Sequence, residues 1–122
     1  MKISIIIPVY NEVKTVEELI KRVEAVNIDK EIIAVDDCSL DGSGDVLIRI
    51  ENEGRIKLIK HNKNSGKGVA IKSGLNVARG DIVIVQDADL ETDPQDYYEL
   101  IRPIIKGETR AVFGFRTTKK PA

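Results

Sequence analysis

The stretch Ile82-Val83-Ile84-Val85-Gln86-Asp87-Ala88-Asp89-Leu90-Glu91 decides how this chain is read. An apolar run suited to a strand stops abruptly at carboxylates spaced i, i+2. In extended backbone, alternate residues point the same way. Asp87 and Asp89 therefore converge just past the strand's end, and Glu91 joins them if the extended path continues. Convergent carboxylate oxygens favour a hard cation such as Mg²⁺ or Mn²⁺. The competing reading is a polar turn in which Asp89 or Asp93 caps the next helix. Asp93-Pro94 already supplies that cap, with proline in the first turn.

Outward from this strand the chain alternates strands and helices. Residues 3–9 form an apolar run with Ile and Val dominant, as in a strand covered on both faces. Thr15-Val16-Glu17-Glu18 has the capping-box pattern, and Val16, Leu19, Ile20, Val23 and Val26 follow at helical spacing. Further strands are expected at 31–35, 56–59, 81–85 and 110–113. Helices are expected at about 44–51, burying Val46, Leu47 and Ile50, and at 67–78, with Val69, Ala70, Ile71, Leu75 and Ala78 available to the core. A last helix follows Asp93-Pro94, with Tyr97, Leu100, Ile101 and Ile104 inward. This alternation implies right-handed crossovers and a mostly parallel sheet.

The 122 residues suit one domain, 1–116, with a loose tail at 117–122. A formal charge of -1 gives no reason to expect nucleic acid as a partner. Cys38 is the single cysteine, so no intrachain disulfide forms and a reducing, cytoplasmic setting fits. No apolar run approaches the roughly 20 residues that cross a bilayer. The start of the chain resembles the front of a signal peptide, but Pro8, Asn11 and Glu12 cut it short, and it reads as a buried strand.

In parallel sheets, ligands bind beyond the carboxyl ends of the strands. Here those ends carry Pro8-Val9-Tyr10-Asn11-Glu12, Asp36-Asp37-Cys38-Ser39, His61-Asn62-Lys63-Asn64 and the Asp87/Asp89 pair. Four polar turns on one rim, three bearing acids, point to a site. Asn64-Ser65-Gly66-Lys67-Gly68 precedes a helix and is open to two readings. It is either a flexible loop with a solvated lysine, or a loop whose N–H groups and Lys67 meet an anion. It is not a Walker loop, because His61 stands where the first glycine would be. Asp36 and Asp37 are likewise open between capping the next turn and accepting hydrogen bonds from a nucleobase or ribose. His61 reads as a surface loop residue, Tyr97 and Tyr98 as helix packing and rim, and Cys38 as a small filler.

These segments together resemble family 2 glycosyltransferases of the GT-A type. The resemblance rests on Ile6-Ile7-Pro8-Val9-Tyr10-Asn11-Glu12, Val35-Asp36-Asp37-Cys38-Ser39-Leu40-Asp41-Gly42-Ser43, Asn64-Ser65-Gly66-Lys67-Gly68-Val69-Ala70 with Ala78-Arg79-Gly80-Asp81, Gln86 to Pro94, and Val112-Phe113-Gly114-Phe115-Arg116. It is nearest to the branch of dolichol-phosphate mannosyltransferases and polyprenyl-phosphate glycosyltransferases. It covers nearly the whole chain but only the N-terminal half of the family's catalytic domain. The resemblance implies a three-layer α/β/α fold, C-terminally incomplete.

It also implies roles. Pro8, Tyr10, Glu12, Asp36 and Asp37 would cradle the nucleoside. Lys67 would lie near the donor phosphates. Asp87 and Asp89 would hold Mg²⁺ or Mn²⁺ on the diphosphate, with Glu91 a third ligand. Arg116 matches an arginine that in this branch follows Gly-Ser, although Phe115 replaces the serine. The donor would be GDP-mannose or a UDP-sugar. The anomeric centre would be inverted, and the acceptor would be a polyprenyl or dolichyl phosphate at the cytoplasmic membrane face. Two other functions compete. One is a non-catalytic nucleotide-sugar-binding or partner module. The other is a nucleotidyltransferase, which expects a glycine-rich basic loop where Tyr10-Asn11-Glu12 stands. An incomplete sheet leaves an edge strand open to pairing between copies, so a homo-oligomer is a further expectation.

Overall fold

The computed structural model describes residues 2–99 and 101. Four strands and three helices alternate: β1 (Ile3–Val9), α1 (Val16–Glu24), β2 (Lys30–Asp36), α2 (Ser43–Asn52), β3 (Lys57–Lys60), α3 (Lys67–Val77) and β4 (Ile82–Val85). A 3₁₀ turn at Pro94–Asp96 follows, and residues 97–99 and 101 continue it in helical conformation. The strands are all parallel, in the order β3-β2-β1-β4. β1 is central: it pairs with β2 from Ile3↔Lys30 to Val9↔Asp36 and with β4 from Ile3↔Ile82 to Ile6↔Val85.

The largely apolar run of β1 is explained by cover on both faces. Ile3, Ile5, Ile7 and Val9 join the main core with Leu19, Ile20, Leu47, Ile50, Tyr97 and Ile101. Ile6 turns the other way, to Ile33, Val35 and Ala70 under α3. The layers are thus α1 and α2 on one face, the sheet, and α3 on the other.

Three expectations need correction. The capping box does not form. Thr15 occupies the N-cap position of α1 without a side-chain cap bond, and Glu18 pairs instead with Arg22 four residues on. On α3, Val69 and Leu75 are exposed, and the inward residues are Ala70 and Gly74. The reason is close approach: a Cβ at Gly74 would lie 2.7 Å from Ile6 Cγ2, so bulk on this stripe has no room. On α2, Leu47 and Ile50 are buried as expected, while Val46 is only partly so. The cap at Asp93 is as expected, its Oδ1 accepting from the Gln95 N–H at 3.0 Å. The strand expected at 110–113, together with Leu100, Ile104 and Arg116, lies outside the described residues. Among the described residues, no helix is long and apolar enough to cross a membrane.

Candidate functional site

β1 has partners on both sides, and its flanking crossovers run over opposite faces: α1 covers one and α3 the other. The chain leaves both β1 and β4 toward the face of α1, where Tyr97 and Ile101 join the same core, and a crevice remains beyond the carboxyl ends of these strands, where the strand order reverses. A cavity of about 350 Å³ occupies it. Pro8, Val9, Tyr10 and Glu12 line it from β1, Asp37 from β2, Lys67 and Ala70 from α3, and Asp87, Ala88 and Asp89 from β4.

The rim is tied across the loops. Asn11 Oδ1 accepts from the Leu40 N–H at 2.8 Å, and Ser39 Oγ accepts from the Asn11 N–H at 2.9 Å. Ser43 Oγ accepts from the Glu12 N–H at 2.9 Å, and Asp41 Oδ2 from the Val13 N–H at 3.1 Å. The turn beyond β1 is thereby held against the turn beyond β2.

The two adjacent acids of β2 part company. Asp36 faces α2: its Oδ1 accepts from the Ser39 N–H at 3.0 Å, and it does not line the cavity. Asp37 faces α3. Its Oδ1 accepts from His61 Nδ1 at 2.7 Å and from the Ser65 N–H at 2.9 Å, and its Oδ2 from the Gly66 N–H at 2.8 Å. Burial alone would push the Asp37 pKa up. The hydrogen bonds from His61, Ser65 and Gly66 together outweigh that and hold it below the ordinary carboxylate value. His61 is thus no surface residue. Its side chain is only 13% exposed, and Nε2 lies 2.8 Å from Ser73 Oγ on α3. An ionised Asp37 can only accept, so Nδ1 carries a proton. The glycine-rich loop also differs from expectation. The N–H groups of Ser65 and Gly66 are already taken by Asp37, and the loop meets the cavity through the side chain of Lys67.

Lys67 reaches over the cavity to Asp87, Nζ to Oδ1 at 2.5 Å. Asp87 and Asp89 both line the cavity, together with Pro8, Val9, Tyr10 and Glu12 of the turn after β1. Glu91 is exposed and is not among the lining residues. Glu12 has its pKa raised, first by burial and then by the negative charges of Asp89, Asp41 and Asp87, against a lowering hydrogen bond from Thr15. Four acids and one lysine line the crevice, which is therefore short of positive charge.

Beneath the acid loop lies a buried polar network that the sequence reading missed. Gln86 is fully buried, and its Nε2 donates to the Asp87 carbonyl at 3.0 Å and to Thr92 Oγ1. Its Oε1 accepts from the Tyr97 hydroxyl at 2.7 Å, and burial pushes that phenol's pKa well up, so it stays a donor. A glutamine at the end of an Ile/Val strand was the available signal, since buried amides need partners.

Hard oxygen donors with space for water and phosphate oxygens suit Mg²⁺ or Mn²⁺. Asp87 and Asp89 fit that requirement. Among the described residues, no group of three or more acids, histidines or cysteines is already gathered around one point. The remaining coordination would fall to a ligand's oxygens and water, and Asp87 must first leave Lys67.

The family model described as Glycosyl transferase family 2 matches residues 4–122. The chain belongs to glycosyl transferase family 2. The fold is that of the GT-A glycosyltransferases, as the sequence led us to expect. The chain is 35% identical over 114 residues to the dolichol-phosphate mannosyltransferase of Pyrococcus furiosus, covering 92% of this chain and 32% of that protein. It is 36% identical over 112 residues to the undecaprenyl-phosphate 4-deoxy-4-formamido-L-arabinose transferase of Photorhabdus laumondii, covering 87% and 34%. Among solved structures, S. aureus TarS 1–349 in complex with UDP-GlcNAc is similar with a TM-score of 0.73 at 27% identity, over 87% of this chain and 32% of that one. The mannosyltransferase PcManGT of Pyrobaculum calidifontis, in complex with GDP-Man and Mn²⁺, is similar with a TM-score of 0.69 at 27% identity, over 79% and 30%. This family 2 chain therefore spans about a third of the length of the relatives it matches.

Proposed function

We propose that this chain is the donor-binding part of an inverting glycosyltransferase. It would take a sugar from a nucleoside diphosphate sugar, with Mg²⁺ or Mn²⁺, to a polyprenyl or dolichyl phosphate. One observation carries the reading: Asp87, Asp89 and Lys67 share a cavity with the turn from Pro8 to Glu12. The nucleoside lies against Pro8, Tyr10 and Glu12, with Asp37 at the cavity's base. Lys67 turns from Asp87 to the diphosphate. Asp87 and Asp89 hold the cation, which when bound offsets negative charge growing on the leaving diphosphate. Asp36 supports the β2 turn from outside the cavity, and Glu91 and Arg116 remain proposals from the resemblance.

A lipid phosphate acceptor is supported by the names of the relatives and by chemistry. Such an acceptor is already anionic, so it needs little help from a general base. It would place the protein at a membrane face.

The test is thermal. UDP or GDP with Mn²⁺ raises the melting temperature, by about 2.7 kcal/mol of stabilisation at a hundred-fold excess over Kd. Asp89→Ala removes the gain. No shift at millimolar nucleotide in the folded wild-type protein overturns the reading. Calorimetric titration with GDP-mannose, UDP-glucose and UDP-N-acetylglucosamine identifies the donor, and an assay with a short polyprenyl phosphate tests the acceptor. Binding without transfer to any acceptor marks a nucleotide-sugar-binding module instead.

A further inference from the structure

Thr15 stands where a helix N-cap stands, yet its hydroxyl caps nothing. An N-cap threonine ordinarily accepts from an N–H of the first turn, a contact of about 0.5–2 kcal/mol. Here Thr15 Oγ1 instead donates from the start of α1 to the Ala88 carbonyl in the loop after β4, at 2.7 Å and 73 residues away in sequence. It is also 3.3 Å from Glu12 Oε1, a weaker contact for a hydroxyl whose single proton is already placed.

The Ala88 carbonyl belongs to the residue between the two aspartates. Turning the peptide plane that follows it swings Asp89 relative to Asp87. The preceding carbonyl, that of Asp87, is held by Gln86 Nε2. The loop then passes through Leu90 at φ 67°, a left-handed conformation that costs a leucine energy. Two successive carbonyls are therefore pinned, one from beneath and one from the side, just before a strained residue.

We propose that Thr15 is a positioning residue: its hydrogen bond to the Ala88 carbonyl sets Asp87 and Asp89 at the angle at which both meet one divalent cation. This rests on the reading of that pair as the metal grip. Thr15 touches neither the metal nor the substrate.

The experiment compares wild type, Thr15→Val and Thr15→Ser. Binding of Mn²⁺ alone is followed by loss of the free-ion electron paramagnetic resonance signal, and the urea midpoint is measured in metal-free buffer. Outer partners of metal ligands typically contribute 10- to 100-fold in affinity, so Thr15→Val is expected to weaken Mn²⁺ binding by about that range. Thr15→Ser, which keeps the donor, restores it. Should the valine variant not fold, Thr15→Ala is read the same way. Wild-type Mn²⁺ affinity in the hydroxyl-free variant, with only the urea midpoint lowered, overturns the inference and leaves Thr15 a structural contact. Equal weakness in the serine variant overturns it too. A folded wild-type chain that binds no Mn²⁺ overturns the metal reading itself, which is a separate result.

Discussion

Replacing Lys67 by methionine should strengthen one ligand and weaken another. Lys67 Nζ lies 2.5 Å from Asp87 Oδ1, and both side chains line the cavity. A cation on Asp87 and the Lys67 ammonium compete for the same oxygen. The size of the competition depends on exposure. At a distance near 4 Å, an effective dielectric of 20 would give about 4 kcal/mol. The Lys67 side chain, however, is 52% exposed and that of Asp87 22%. Measured pairs of this kind contribute about 0.2–1 kcal/mol. Exposure wins, so Lys67→Met should tighten Mn²⁺ binding in the absence of nucleotide by a factor of about 1.4–5. Removing a positive charge beside the ion acts in the same direction.

With a nucleoside diphosphate present the sign reverses. A charge-assisted contact from Lys67 to phosphate is worth about 1.5–3 kcal/mol, so its loss weakens nucleotide binding roughly 10- to 150-fold. Metal and nucleotide should therefore be coupled in the wild type, each favouring the arrangement in which Lys67 has left Asp87, and less coupled in the variant. Calorimetric titration of Mn²⁺ with and without UDP or GDP measures all four affinities. Raising the salt should narrow the metal-only difference, since exposed pairs are screened. Weaker or unchanged Mn²⁺ binding in a folded Lys67→Met protein would refute the competition.

Asp37→Ala should lower the unfolding free energy at neutral pH by about 1–3 kcal/mol, because it strands donors of His61, Ser65 and Gly66. The native pKa of Asp37 is depressed, so its contribution is present above the unfolded value of about 3.9 and is lost as pH falls through the lower native value. Urea titrations should show the wild-type advantage shrinking only in strong acid, and an advantage unchanged there would count against this account. Gly74→Ala should destabilise by about 1–3 kcal/mol through overlap with Ile6, although alanine is the better helix former by about 1 kcal/mol. A higher urea midpoint for that variant would mean α3 moves off the sheet freely.

The parts legible in the sequence were those set by local pattern. β1 was read to the residue because an Ile/Val-rich run that gives way at Tyr10-Asn11-Glu12 to a polar turn has few alternatives. The Asp93-Pro94 start was read because N-cap chemistry acts within one turn. The Asp87/Asp89 pair stood out as acids just past an apolar strand, and both line the cavity, although residues 88–90 bend rather than continue the extended path on which strand parity depends. The same parity would have separated Asp36 from Asp37: Ala34 belongs to the main core and Val35 to the core under α3, so the next two residues fall on those faces in turn. Other features depend on distant partners. His61 finds Asp37 24 residues away, and Thr15 finds Ala88 beyond the reach of any capping pattern. Counting apolar residues misjudged α3 because close approach to Ile6 selects for small size, which hydrophobic spacing does not register.

The left-handed residues indicate where order at this site is needed. Asn11, Cys38 and Leu90 are the non-glycine residues with positive φ among those described, and each lies just beyond β1, β2 or β4, the strands around the crevice. Such residues cost about 1–3 kcal/mol each and persist only where their surroundings fix them. Asn11 is eased locally, since asparagine tolerates this conformation and its side chain accepts from Leu40. Leucine has no such relief. Leu90 is held by packing against the main core, and the loop before it by Thr15, Gln86 and the Asp89 bond to the Glu91 N–H. These restraints thus coincide with poorly tolerated backbone, in the loop that carries both cavity-lining acids. A polar turn serving only to connect β4 to the next helix would need neither the strain nor the ties that oppose it.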